Sequence, residues 1–361
     1  MNENILIAMN YIDENLVANA VKARKKPKPV SFGKAAAVFV AVAAAVLTFI
    51  NAEKKPLLSL GVEQSDGMGF EGWFFTDISQ AENGNPWSAK NTPKTLPVYE
   101  SIPYDENGYP CAIDEATQRK RLNDAASVLG LEITQAITCS ESENGGAISV
   151  SAETNGGSIT VNAGGTVTAV YSSPAEFPKN FEENYTQSVY ADLCRHFFGA
   201  NEIHLAVSES CNVYGEITVI YRIYYGKTAK EKIISYNLRH VEIIAEPSGV
   251  TTVFINDKLI RESKIADYPI ISQSKAKELL LGGSRISSQV QYEFPGEEYV
   301  AKAELIYRHG KGEVIAPYYL FYVELPEAPD ENGLKSYGAY YVPAVEQKYI
   351  SDFPLYDGEF Q

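Results

Sequence analysis

Residues 115–130, EATQRKRLNDAASVLG, are followed by the alternating runs Ile148-Ser-Val150-Ser-Ala152, Ile159-Thr-Val161 and Val167-Thr-Ala169-Val-Tyr171. Leu122, Ala125, Ala126 and Leu129 fall on one helical stripe, with Asp114 placed to cap the start and Gly130 to stop the end. Asn155-Gly156-Gly157 and Ala163-Gly164-Gly165 are hairpin turns, so the runs predict an antiparallel meander. The same order returns twice. A second helix is expected near Tyr185–Phe198, with Tyr190, Leu193, Cys194 and Phe197 on one face. Strands follow it at Ile217–Tyr225, Ile233–Leu238, Val241–Ala245 and Val250–Ile255. A third helix, Ser272–Leu281, carries Ala276 and Leu279 on its inferred buried face and is stopped by Gly282-Gly283. Val300–Arg308, Tyr318–Leu325 and Tyr337–Val345 then read as strands. Helices that alternate with meanders predict an α+β fold of helix-plus-antiparallel-sheet units rather than a doubly wound parallel sheet. No Gly-rich loop lies between a strand and a helix, which argues against nucleotide binding.

Upstream lies an uncharged apolar run, residues 35–52, AAAVFVAVAAAVLTFINA. It has the minimum length to cross a bilayer and no polar face, so it is read as one transmembrane helix. A cleaved signal peptide ending at Ala52 is the competing reading; the 34 residues before the run favour an uncleaved anchor. Lys22, Arg24, Lys25, Lys26, Lys28 and Lys34 precede it, which places the N-terminus in the cytoplasm and the bulk of the chain outside. The whole chain has 46 acidic and 31 basic residues. Setting aside those six bases with Glu3, Asp13 and Glu14 leaves 43 and 25, or −18, for the remainder. Such an acidic outer part repels anionic surfaces and argues against nucleic acid as a partner.

The expected organisation is therefore a cytoplasmic amphipathic helix and basic segment (1–34), the membrane helix (35–52), an extended linker (53–100), two helix-plus-sheet units (101–260) and a C-terminal unit (261–361). Ile5, Met9, Ile12 and Leu16 form a helical stripe with no cytoplasmic domain to pack against. A helix of this length is marginal alone, so the stripe predicts a helix-in-groove contact with a cytoplasmic signalling protein. A frayed leader with accidental periodicity is the plain alternative.

Tyr11-Ile12-Asp13-Glu14-Asn15-Leu16-Val17-Ala18-Asn19-Ala20, then a basic stretch and one apolar span, resembles the N-termini of membrane-bound anti-sigma factors of clostridia. That resemblance implies a sigma factor as the partner. Ile270-Ile271-Ser272-Gln273-Ser274-Lys275-Ala276-Lys277-Glu278-Leu279-Leu280 and the ending Tyr341-Val342-Pro343-Ala344-Val345 resemble PepSY-type modules, small helix-plus-sheet units of secreted bacterial proteins. Gly67-Met68-Gly69-Phe70-Glu71-Gly72-Trp73, Asn85-Pro86-Trp87, Leu96-Pro97-Val98-Tyr99 and Tyr337-Gly338-Ala339-Tyr340-Tyr341 together look like an uncharacterised family of gut-clostridial single-pass membrane proteins. This likeness implies topology and context, and no activity.

Residues that could carry chemistry are few. Trp73 and Trp87, in a Gly-rich stretch, are read as a ligand platform or as aromatics that dock an extended segment. Cys111, Cys139, Cys194 and Cys211 allow two disulfides in three pairings, or free thiols in a domain large enough to need no staples. Cys194 and His196 point to different sides of their helix, which argues against zinc or a Cys/His nucleophile. His240 and His309 read as solvated strand ends. Asp105-Glu106-Asn107-Gly108 and Asp330-Glu331-Asn332-Gly333 read as turns rather than calcium loops. The 24 Tyr suit half-exposed strands, with a peptide or glycan groove as the second reading. No catalytic residue, metal ligand or cofactor is assigned. The expectation is a non-catalytic sensor or regulatory protein; the alternative is an anchored envelope-binding protein or surface hydrolase.

Overall fold

The computed structural model describes residues 55–60, 72–75, 78, 82–100, 113–140, 149–211, 217–260, 264–287, 292–309, 314–327 and 335–352. Ile5, Met9, Ile12, Leu16, the run 35–52 and both Asp-Glu-Asn-Gly turns lie outside them. Among the described residues no helix is long and apolar enough to cross a membrane. The chain divides into Met1–Lys54 and Lys55–Gln361, and the second unit is the one described.

That unit is α+β, with mostly antiparallel sheets. Three strands come first: β1 (Leu58–Ser59), β2 (Gly72–Phe75) and β3 (Thr95–Glu100). Next come α1 (Glu115–Leu129), β4 (Thr138–Ser140), β5 (Ser149–Thr154), β6 (Gly157–Val161) and β7 (Val167–Ala175). A short α2 (Phe181–Asn184) leads into α3 (Val189–Phe198), then β8 (Ile203–Cys211), β9 (Ile217–Tyr225), α4 (Ala229–Leu238), β10 (Arg239–Glu246) and β11 (Gly249–Asp257). The last stretch holds β12 (Lys264–Pro269), α5 (Gln273–Leu281), β13 (Ile286–Ser287), β14 (Val300–His309), β15 (Val314–Glu324), β16 (Lys335–Pro343) and β17 (Ile350–Asp352).

The first sheet has the order β4-β5-β6-β7-β11-β10-β9-β8. Two meanders, each preceded by a helix, meet through their last strands, with Ala169 opposite Val253 and Val167 opposite Ile255. The helices start and stop as their local chemistry dictates. Asp114 accepts from the Thr117 amide at 2.8 Å, and Ser188 accepts from Ala191 at 3.2 Å. Gly130 ends α1 at φ 69°, a left-handed conformation that costs any other residue more. Leu122, Ala125 and Ala126 of α1, with Tyr190, Leu193 and Cys194 of α3, cover Val150, Ile159, Val167, Val241, Ile243 and Val253 on one face. Each large apolar side chain removed from water there contributes about 1.5–3 kcal/mol.

The second sheet has the order β12-β3-β15-β16-β13, with β14 also on β15 and β2 on β16. Its central strands are buried on both faces. Leu305, Tyr319, Phe321, Tyr340 and Val342 meet Ala276 and Leu280 of α5 on one side. Tyr318, Leu320, Tyr322, Tyr337 and Tyr341 meet Leu58, Leu60 and Tyr268 on the other. The expectation of half-exposed tyrosines is therefore corrected: Tyr318, Tyr319, Tyr322, Tyr337, Tyr340 and Tyr341 are all at most 6 % exposed. A strand buried twice reads as a continuous apolar run, and VIAPYYLFYV of β15 is one.

Two further readings change. Residues 233–238, taken from the sequence as a strand, belong to α4. Thr228 accepts from the Glu231 amide at 3.2 Å and Glu231 Oε2 accepts from the Thr228 amide at 2.9 Å, a reciprocal cap that starts a helix. Residues 53–100, read as a linker, supply β1, β2 and β3. β3 sits between β12 and β15, and β1 pairs in parallel with β17, Leu58 opposite Ile350.

In α5 the buried pair is Ala276 and Leu280, four residues apart, and Leu279 is only half-buried. Leu280→Ala should cost about 2–5 kcal/mol by leaving a cavity. Leu279→Ala should cost distinctly less. Lys275→Ala, at an exposed side chain paired with Glu278 at 2.7 Å, should cost under about 0.5 kcal/mol. Denaturant melts of the three variants check the order, and equal small losses would show that α5 does not cover the sheet.

Candidate functional site

The face of the first sheet turned away from α1 and α3 carries a charged row. Alternation along β10 puts Val241 and Ile243 under the helices, so His240 and Glu242 take the other face, beside Arg222 of β9 and Asn256 of β11. Arg222 Nη2 donates to Glu242 Oε2 at 2.7 Å. His240 is 5 % exposed; its Nε2 lies 3.1 Å from Asn256 Nδ2 and 3.8 Å from Glu242 Oε2. Burial pushes the imidazole pKa down to about 4, so the ring is neutral at pH 7. Burial opposes the Glu242 carboxylate, but His240 and the Arg222 guanidinium beside it outweigh that and hold its pKa low. Lys258 is pushed down by burial and by repulsion from Arg222.

A roof closes over this row. The Tyr236 ring of α4 lies 4.6 Å from the Arg222 guanidinium, and its hydroxyl donates to Asn83 O at 2.9 Å. Asn237 Oδ1 accepts from the Tyr307 amide of β14 at 3.2 Å. Asn83 Nδ2 donates to the buried Glu304 at 3.1 Å, and Lys302 Nζ sits 2.6 Å from the other Glu304 oxygen. Gly84 has φ 68°, and a Cβ there would come 2.5 Å from the Ala206 side chain, so the loop crosses β8 with no space for a larger residue. The cluster joins α4, the 82–87 loop and β14 to the first sheet.

The other face of this sheet holds a second buried charge. Asp257, 2 % exposed, accepts from Arg239 Nε at 2.9 Å and lies 3.6 Å from Arg121 Nη1, which ties α1 to the sheet.

An open cavity of about 280 Å³ lies where the chain enters β14 and leaves β15. Its lining is Tyr292, Glu293, Phe294, Pro295, Tyr299, Leu325, Pro326 and Glu327. Register explains the juxtaposition: Val300 pairs with Val323, so the residues before one strand face those after the other. The three rings are half-buried against the second sheet's core, while Glu293 and Glu327 are exposed at the rim. Behind Phe294 the Arg285 guanidinium lies 4.4 Å from its ring, and Tyr340 meets it edge-on at 5.4 Å. Sequence reasoning passed over this site. The alternation of aromatic and acidic residues in Tyr292-Glu293-Phe294, closed by Pro295, was the available signal.

Of the residues singled out from sequence, Trp87 is a docking aromatic. Its Nε1 donates to Thr92 Oγ1 at 2.9 Å, and its ring meets Tyr319 edge-on at 5.7 Å. Trp73 contributes backbone to β2, opposite Tyr337. His240 is buried rather than solvated; His309 ends β14. Cys139 is exposed and Cys194 buried, both as free thiols. Among the described residues no group of His, Cys, Asp and Glu is arranged to hold a metal.

Acid should weaken the roofed cluster. The unfolded histidine titrates near 6.5, the folded one near 4, so the unfolded state binds more protons between those values. Stability is full above about pH 6.5 and falls through the window to pH 4, by up to roughly 3 kcal/mol for this group. His240→Gln should flatten urea-derived stability against pH across pH 6.5–4 relative to the parent; superimposable slopes would show that His240 is protonated in the folded protein.

No family model matches the chain, and no curated protein does. Among solved structures, an uncharacterised protein from Eubacterium rectale is similar over 70 % of this chain and 84 % of its own, at 11 % identity and a TM-score of 0.38.

Proposed function

We propose that this chain is a membrane-anchored extracytoplasmic sensor or regulatory protein without catalytic activity. Residues 35–52 are its single membrane helix, its N-terminus is cytoplasmic, and its PepSY-like outer unit takes up an unidentified ligand. The observation that carries this reading is the start of the compact unit at Lys55, three residues beyond the apolar run. A segment able to span a bilayer leads directly into a folded module, as a tether would. Ile5, Met9, Ile12 and Leu16 then form a cytoplasmic stripe for a signalling partner, a sigma factor by the resemblance of the N-terminus. The alternative, an anchored envelope-binding protein or surface hydrolase, keeps the anchor and leaves the stripe without a partner. The aromatic cavity beside β14 supports ligand binding under either reading.

An immobilised peptide of residues 1–28 should retain a sigma factor or another signalling protein, identified by mass spectrometry. Ile12→Asp and Leu16→Asp should each abolish retention, because either puts a charge into an apolar groove. Retention that survives both substitutions, or no retention, would leave the N-terminus as an anchor alone.

A further inference from the structure

We propose that the cavity formed by residues 292–299 and 325–327 binds a small organic cation: a quaternary ammonium or the ammonium end of an alkylamine. The inference deepens the ligand-binding half of the proposed function. It does not depend on which side of a membrane the unit faces.

The lining supplies both halves of cation recognition. Tyr292, Phe294 and Tyr299 bring three aromatic rings to one cavity, and the negative face of an aromatic ring attracts a cation within about 6 Å. Glu293 and Glu327 add two carboxylates at the rim, and among the described residues neither makes an ion pair. Each nearby cation already has a partner, and for Arg285 one of these is the Phe294 ring itself. Lys277 lies 3.1 Å from Glu297, Lys335 lies 2.8 Å from Glu324, and Arg285 stacks on Phe294 while donating to Leu280 O at 2.6 Å. The cavity thus presents two exposed carboxylates without ion pairs beside three aromatic rings. A cation gains an attraction to those carboxylates that a neutral ligand lacks, and an alkylammonium places its charge at the rim and its carbon among the rings.

Size and rigidity agree with this assignment. About 280 Å³ is near the lower end of the ~300–1,000 Å³ typical of small-molecule sites, too little for a folded partner and enough for a short amine. Pro295 and Pro326 stiffen the two lining segments, and Leu325, 3 % exposed, anchors one of them in the core. The walls are therefore largely formed before a ligand arrives, which limits the ordering cost of binding. The chain's net charge of −15 raises the local concentration of any cation.

The test is calorimetric titration of the full chain in uncharged maltoside micelles with choline, butylammonium and 3,3-dimethylbutan-1-ol, the neutral isostere of choline. At least one cation should bind saturably, with the neutral isostere weaker by about tenfold or more. Tyr299→Leu, and Glu293→Gln with Glu327→Gln, should each weaken that binding about five- to tenfold with near-ultraviolet circular dichroism unchanged. Lys275→Ala, outside the cavity, should leave it as it was. The carboxylate pair is exposed, so its variant tests the site even if Tyr299→Leu disturbs folding. Binding of isostere and cation alike, binding untouched by the carboxylate variant, or no saturable binding up to tens of millimolar would each overturn the proposal. Any of these would leave the peptide experiment on residues 1–28 unaffected.

Discussion

The Arg222–Glu242 ion pair, at 2.7 Å on the outer face of the first sheet, sets a condition that the rest of the unit meets. A charge pair and a neutral imidazole on a half-covered sheet face must be matched by polar partners, or their desolvation goes uncompensated. The chain meets this with α4, which brings Tyr236 over the guanidinium, and with Asn83, Asn85 and Asn237, whose side chains bond to Glu304 and to the backbone of β14. The outer edge of β14 is thereby occupied. A long unpaired strand edge invites pairing with another chain, and here side-chain amides take some of its backbone groups.

With β14 placed, β15 becomes a central strand and needs cover on both faces. The stretch ahead of α1 supplies much of it. Leu58 and Leu60 pack on one face, Leu96 and Trp87 on the other, and Tyr268 donates its hydroxyl to Pro56 O at 2.9 Å. Buried tyrosines elsewhere end on backbone carbonyls in the same way, Tyr319 on Ile271 and Tyr307 on Pro97. An amphipathic aromatic suits this layer because its ring fills volume while its hydroxyl satisfies an otherwise orphaned acceptor. The aromatic cavity lies at the end of this stiff double-sided layer, so its walls rest on core residues rather than on a loop alone.

Local chemistry made much of this readable in advance. Asp114 with Gly130, and Ser272 with Gly282, bound their helices where the caps and stops say, because capping is decided within one turn. The alternating runs at 148–171 and 241–255 gave strands for the same reason. α4 was missed although Thr228-Ala-Lys-Glu231 spells a capping box, since Ile233, Ile234, Tyr236 and Leu238 also fit a short buried strand. Periodicity alone does not separate the two over so few residues. β3 was missed because Pro97 interrupts its apolar pattern.

The sequence by itself determined the α+β class, both ends of α1 and α5, the glycine stop of α3 and the hairpins of β5, β6 and β7. All of these rest on contacts between residues a few places apart. Only the tertiary structure decided that two meanders join as one sheet through β7 and β11, that the tyrosines of β15 and β16 are buried on both faces, and that His240 lies under a roof. It also brought Tyr292, Phe294 and Tyr299 to the same cavity as Leu325 and Glu327. A strand's alternation defines two faces but not what covers them, and the register of β14 on β15 joins segments separated by a whole hairpin. Those outcomes belong to long-range packing, which no local pattern encodes.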